Sequence, residues 1–202
     1  MVKWRLDEFT KSGFTSLLRP FENSLYDVIK ITRAFGIATK AHMGQFRGEN
    51  GVEPYINHPL RTALILIEEL HRYDTSLVCA ALLHDVIEKS GHNSTITEEM
   101  IKKESSEYVY GIVRALTRPK IIHGERDRLL DEYFERLKKA SQAVRYVKLA
   151  DELDNIRSLK NSVHKDKVLH YKQEAERYII PIAEHTDEKM LFKLSIALYE
   201  LK

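Results

Sequence analysis

The apolar run Val78-Cys79-Ala80-Ala81-Leu82-Leu83 ends directly on His84-Asp85, and that junction restricts how the chain can fold. The run asks for burial on every side, yet an imidazole and a carboxylate carried in with it are costly unless they are paired or bound to a metal ion. The same pattern recurs where Tyr146-Val147-Lys148-Leu149-Ala150 leads into Asp151. Together with His58, which precedes Pro59, these residues form a candidate ligand set for one divalent ion. Taken singly, each has a plainer explanation. His58 suits a helix cap or a surface position, His84-Asp85 a buried hydrogen-bonded pair, and Asp151 a buried salt bridge to Arg or Lys. Imidazole and carboxylate donors suit Mn, Fe, Zn, Ni or Co, whereas a site built on thiolates is excluded by a single cysteine, Cys79.

The rest of the chain reads as helices joined by short polar loops. It holds only 8 Gly and 5 Pro, and no run alternates apolar and polar residues with β-branched enrichment, so the predicted class is all-α. A first amphipathic helix starts near Asn23-Ser24 and runs to Ala41, and the Gly-, Asn- and Pro-containing residues 44–59 form a loop from which His58 projects. Pro59 opens a helix over residues 60–70. Asp74-Thr75 caps another that continues to about Glu88 and stops at Ser90-Gly91-His92-Asn93. Thr97 opens a short helix, and Ser105 or Ser106 caps one that reaches Leu116. Further helices cover about 125–139, 140–160, 166–183 and 187–201. Residues 1–13 have weak periodicity and fit either a loose arm or a packed segment.

Composition excludes some functions. With 43% hydrophobic residues in 202, the chain can bury one good-sized core. The 32 basic and 30 acidic groups leave a net charge of +2, which does not suit a dedicated nucleic-acid binder. No apolar stretch approaches the ~18 residues of a membrane span, and no signal-peptide core is visible, so a cytoplasmic location is expected. Cys79, inside the apolar run, is expected to be a buried and inert thiol.

The neighbours of the candidate ligands are chemically suggestive. Glu88 lies four residues after His84 and three after Asp85, on the same helix face. Asn155 and Ser158 follow Asp151 by four and seven residues, within about 60° of it on an ideal helix. Small uncharged side chains on that stripe fit a binding face better than a merely solvated one.

The segments Ala41-His42-Met43-Gly44-Gln45-Phe46-Arg47, Pro54-Tyr55-Ile56-Asn57-His58-Pro59-Leu60, Ala80-Ala81-Leu82-Leu83-His84-Asp85-Val86-Ile87-Glu88 and Val147-Lys148-Leu149-Ala150-Asp151-Glu152-Leu153-Asp154-Asn155-Ile156-Arg157 resemble the HD-domain phosphohydrolases. More narrowly, they resemble the hydrolase domain of the RelA/SpoT-type guanosine tetraphosphate enzymes, especially the small stand-alone hydrolases. The resemblance implies a single HD-type hydrolase domain over residues 1–202, with its core at about 25–185, built as a bundle of roughly eight to ten helices. It implies one divalent ion, Mn²⁺, held by His58, His84, Asp85 and Asp151. It also implies removal of the 3′-pyrophosphate of (p)ppGpp to give GDP or GTP. In that scheme Glu88 orients or deprotonates the nucleophilic water, Arg47 contacts the nucleotide, and Asn155 and Ser158 line the nucleoside pocket. Arg47 and Lys148 are the candidates for offsetting phosphate charge, and for Lys148 a salt-bridged role stands beside that one.

Three positions depart from the family pattern. Lys89 follows Glu88 where the family has Asp, giving up an acid for an ammonium. Three roles stay open to it: clamping a phosphate, protonating a leaving oxygen if its pKa were lowered, or facing solvent. Gly48 stands where a second basic residue is common, and Asp154 where His is frequent. Two alternatives therefore accompany the leading expectation. One is a metal-dependent phosphatase of another nucleotide, such as NADPH; the other is a nucleotide-binding regulator with weak catalysis.

Overall fold

The computed structural model describes residues 6–48, 50–89, 96–160 and 162–201, and its backbone divides into two compact units, Met1–Arg114 and Ala115–Lys202. The class is all-α, as the sequence predicts.

In the first unit, the segment with weak periodicity is a packed helix. Helix α1 (Glu8–Leu18) starts on Asp7, whose carboxylate accepts the Thr10 N–H at 2.8 Å. It buries Thr10, Gly13 and Leu17 against α3 (Asn57–Leu64), so two of its three buried positions carry no large apolar side chain. A Cβ on Gly13 would sit 3.1 Å from Leu60 Cδ2, so a side chain there would need Leu60 to shift. Beside it the Thr10 hydroxyl lies 2.6 Å from Asn57 Oδ1, and Asn57 Nδ2 donates to Asp7 Oδ2 at 2.8 Å. Burial would raise the Asp7 pKa, but the hydrogen bonds from Thr10 and Asn57 outweigh it and hold the carboxyl below its ordinary value.

Helix α2 (Leu25–Ala41) begins where expected, with the Ser24 hydroxyl accepting the Asp27 N–H at 3.3 Å. The expected loop that follows contains a small antiparallel hairpin, β1 (Phe46–Arg47) on β2 (Glu53–Pro54), with Arg47 opposite Glu53. Two residues per strand are too few for an alternating pattern to register. Gly48 lies in the left-handed region at φ 81°, a conformation that L side chains rarely adopt. This accounts for a glycine at position 48.

Helix α3 begins at Asn57 rather than at residue 60, so His58 belongs to its first turn and not to a loop. Pro59 is tolerated because the first N–H groups of a helix have no partner within it. A π-helical turn, Ile65–Glu69, continues α3. Helix α4 (Thr75–Leu83) is capped by Asp74, which accepts the Leu77 N–H at 2.8 Å, and everything from Leu77 to Leu83 is buried. Both α2 and α3 pack on it, which is why its sequence shows no polar stripe. Cys79 lies in this wall, and burial pushes its thiol up to about 12. The helix predicted to reach Glu88 is interrupted: the chain turns at His84-Asp85 and resumes as α5 (Val86–Lys89). The stop expected at Ser90-Gly91-His92-Asn93 lies outside the described residues. Helices α6 (Glu98–Glu104) and α7 (Glu107–Leu116) start on Thr97 and Ser106, as their hydroxyls predict.

The second unit is built on α9 (Gln142–Ser158), against which α8 (Arg126–Lys138), α11 (Ile180–Glu184) and α12 (Glu188–Glu200) pack. The single helix expected over 166–183 is divided into α10 (Lys165–Glu174), a π-helical turn at Ala175–Ile179, and α11. Pro181, at the start of α11, has no N–H to give to the ladder. No helix among the described residues is long and apolar enough to cross a membrane.

A buried charge cluster forms part of this unit's core. Lys148, only 4% exposed, places its ammonium 3.0 Å from Asp151 Oδ2 and 2.6 Å from Glu152 Oε1. Glu152 also meets Arg118 at 3.3 Å and accepts from the Tyr171 hydroxyl. Burial alone would pull the Lys148 pKa down, but Asp151 and then Glu152 outweigh it and the value rises. Removing one member of such a buried set leaves the others uncompensated. Lys148→Met is expected to lower unfolding stability by about 3–5 kcal/mol, measured by urea denaturation; a change within about 0.5 kcal/mol, as at a surface site, would contradict this assignment.

Candidate metal centre

The interruption after α4 has a local cause. The His84 Nδ1–H donates to the Ala81 carbonyl at 2.7 Å, the same carbonyl that would accept the N–H of residue 85 if the helix ran on. Side-chain bonding of this kind competes with the helical ladder. It also assigns the proton, because a carbonyl can only accept: in the neutral ring Nδ1 is the donor and the lone pair is on Nε2.

That Nε2 lies 3.6 Å from Asp85 Oδ2, and His58 Nε2 lies 3.7 Å from the same oxygen. The two imidazole rings meet edge to face, with centroids 5.1 Å apart. All three residues are buried. The nitrogen–oxygen separations exceed the ~2.7–3.2 Å of an N–H···O bond, so these atoms are not the hydrogen-bonded pair that the sequence alone allowed. They do fit donors around one ion: two ligands each about 2.1 Å from a metal are at most ~4.2 Å apart. Two imidazoles and a carboxylate form a donor set suited to a divalent transition metal.

Residues from the hairpin region surround this cluster. The Tyr55 hydroxyl donates to Asp85 Oδ2 at 2.6 Å, and its ring stacks on His42 with centroids 4.7 Å apart. The Arg47 guanidinium lies 5.4 Å from the centre of the Tyr55 ring. His42 is fully buried, with Nδ1 3.0 Å from Gln45 Oε1; burial lowers its pKa despite the opposing effect of that contact. Gln45 Nε2 in turn donates to the Lys89 carbonyl at 2.7 Å, tying the hairpin to α5. On α5 the Lys89 ammonium lies 2.7 Å from Glu88 Oε1; the Lys89 side chain is exposed and that of Glu88 half-buried. Tyr55, His42 and Gln45 were not singled out from the sequence. Their signal was membership of the two motif segments that also hold Arg47 and His58.

In the second unit, Asp151 is buried on α9, and its two oxygens are engaged separately. Oδ1 accepts from Asn155 Nδ2 at 2.7 Å, while Oδ2 faces Lys148. The four-residue spacing between Asp151 and Asn155 therefore makes a direct contact on the helix surface. Ser158 is exposed and donates to the Asn155 carbonyl at 2.7 Å. The expectation that Lys148 offsets substrate charge meets a different placement: its ammonium is committed to two carboxylates in the core, and it supports Asp151 from behind.

Comparison with known proteins agrees with this chemistry. The HD domain matches residues 34–185. Guanosine-3′,5′-bis(diphosphate) 3′-pyrophosphohydrolase MESH1 of Xenopus tropicalis is 38% identical over 135 residues, which is 66% of this chain and 72% of that protein. The bifunctional (p)ppGpp synthase/hydrolase SpoT of Escherichia coli is 33% identical over 157 residues, 76% of this chain but 21% of its own length. A solved structure described as a metazoan orthologue of SpoT that hydrolyses ppGpp superposes with a TM-score of 0.72 at 27% identity, covering 85% of this chain and 94% of that one. With a match that takes in His58, His84, Asp85 and Asp151, the chain belongs to the HD-domain family.

Proposed function

We propose that this protein is a divalent-metal-dependent hydrolase that removes the 3′-pyrophosphate of (p)ppGpp, leaving GDP or GTP and releasing pyrophosphate. The observation that carries this reading is the approach of two imidazole Nε2 atoms to one Asp85 oxygen, in a chain similar to proteins named for that reaction. His58, His84 and Asp85 hold the ion in this proposal, Asp151 is the fourth ligand, and the two units act as one hydrolase domain in the cytoplasm. We assign Mn²⁺ as the metal, in keeping with nitrogen and oxygen donors and no thiolate. When bound, such an ion polarises a phosphoryl oxygen and lowers the pKa of a coordinated water.

The remaining work falls to the side chains. Glu88 accepts the proton of the attacking water. That water adds to the phosphorus attached to O3′, the P–O3′ bond breaks, and O3′ leaves as the ribose hydroxyl on receiving, directly or through solvent, the proton that Glu88 took. Arg47 contacts the nucleotide, and Asn155 and Ser158 line the nucleoside pocket. Lys148 acts at a distance from the phosphates, by holding Asp151.

The pairing of Lys89 with Glu88 favours a second reading, in which the chain binds nucleotide and turns it over slowly or acts on a different phosphorylated nucleotide. The Lys89 ammonium lies 2.7 Å from Glu88 Oε1, so the carboxylate proposed to take the water's proton is ion-paired with its neighbour. Both readings yield to assay. Purified protein with Mn²⁺ is expected to release pyrophosphate from ppGpp, and His84→Ala or Asp85→Ala to reduce that release to background. Orthophosphate release from another nucleotide, with ppGpp untouched, would transfer the assignment to the second reading. Lys89→Asp is expected to raise kcat, by up to about 10²-fold if an acid–base group is restored; unchanged kcat would remove position 89 from the account.

A further inference from the structure

The phenol of Tyr55 touches the oxygen on which the two imidazoles approach. Its hydroxyl donates to Asp85 Oδ2 at 2.6 Å, and that oxygen is the atom 3.6 and 3.7 Å from the two Nε2 atoms. A carboxylate oxygen has two lone pairs, so Oδ2 can accept from Tyr55 and still serve an ion. Hydrogen bonds to metal-binding carboxylates fix their rotamer and orientation, which reduces what the site must order when the metal arrives.

Tyr55 is well held for this task. Its N–H donates to the Gln45 carbonyl at 3.0 Å, and its carbonyl accepts the His58 N–H at 3.0 Å. Its ring rests on buried His42. One residue therefore joins the hairpin that carries Arg47, the first turn that carries His58, and the carboxylate of Asp85.

We infer that Tyr55 is a positioning residue for the metal, its hydroxyl holding Asp85 in the ligating orientation while its backbone sets His58 and the Arg47 hairpin in register with it. This rests on the reading of His58, His84 and Asp85 as metal ligands. Substrate contact is not part of the role: Tyr55 acts through Asp85.

The test is a calorimetric titration of the metal-free protein with Mn²⁺. Tyr55→Phe keeps the ring and its stack on His42 and removes only the donor. It is expected to weaken Mn²⁺ binding by about 10- to 100-fold, to keep the helical circular dichroism of the wild type, and to recover its release of pyrophosphate from ppGpp at saturating Mn²⁺. Wild-type affinity in Tyr55→Phe would overturn the proposal, as would an activity loss that saturating Mn²⁺ does not restore. Tyr55→Leu, which also removes the ring, separates the two parts of the side chain: weakened binding in Leu but not in Phe assigns the role to the ring and overturns that of the hydroxyl. His84→Ala is the control. If it too binds Mn²⁺ like the wild type, the ligand reading itself fails, an outcome distinct from failure of the Tyr55 assignment alone.

Discussion

The hydrogen bond from His84 Nδ1–H to the Ala81 carbonyl is the interaction on which the proposed centre depends. Helix α4 is buried from Leu77 to Leu83, so nothing along it can present a ligand without bringing that ligand into the core. By occupying a carbonyl of its own last turn, His84 ends the helix where the apolar run ends and presents Nε2 as a lone pair. Asp85 then follows in the turn, where its carboxylate reaches the same small volume as His58 from α3. The cost of burying an imidazole pair and a carboxylate is offset in ways visible in the structure: a backbone bond for His84, a phenol for Asp85, and a donor geometry that fits a cation.

Asp151 obeys the same constraint by other means. A carboxylate in the core of the second unit needs compensation, and Lys148 provides it from one helical turn away, with Asn155 completing the other oxygen. Lys148 also meets Glu152, which Arg118 and the Tyr171 hydroxyl engage in turn, so these buried charges are joined in one network. The consequence for function is one of order. Asp151 is oriented by Lys148 on one oxygen and Asn155 on the other.

Much of this was legible in the sequence, for identifiable reasons. Caps at Ser24, Asp74, Thr97 and Ser106 mark helix starts because a side-chain oxygen must satisfy an early N–H, and the structure places helices after each. The cost of charge in an apolar run pointed to His84-Asp85 and Asp151 before any geometry was known. What stayed hidden lacked a periodic or compositional signature. Helix α1 buries a threonine and a glycine where a hydrophobic pattern would be sought. The hairpin has strands of two residues, and the break at His84 depends on a side-chain hydrogen bond that spacing cannot reveal. Lys148 reads equally well as a phosphate contact or a buried counter-ion until its partners are known. Tyr55 lay in a quoted motif, but only the fold brings its hydroxyl to a residue thirty positions away.

The central claim is that one divalent ion sits where the two imidazoles and Asp85 converge. Crystals grown with Mn²⁺ and measured for anomalous scattering test it most directly. The account predicts a single strong peak within about 2.2 Å of His58 Nε2, His84 Nε2 and a carboxylate oxygen of Asp85. The absence of a peak there at saturating Mn²⁺, or a peak confined to surface carboxylates, would contradict it.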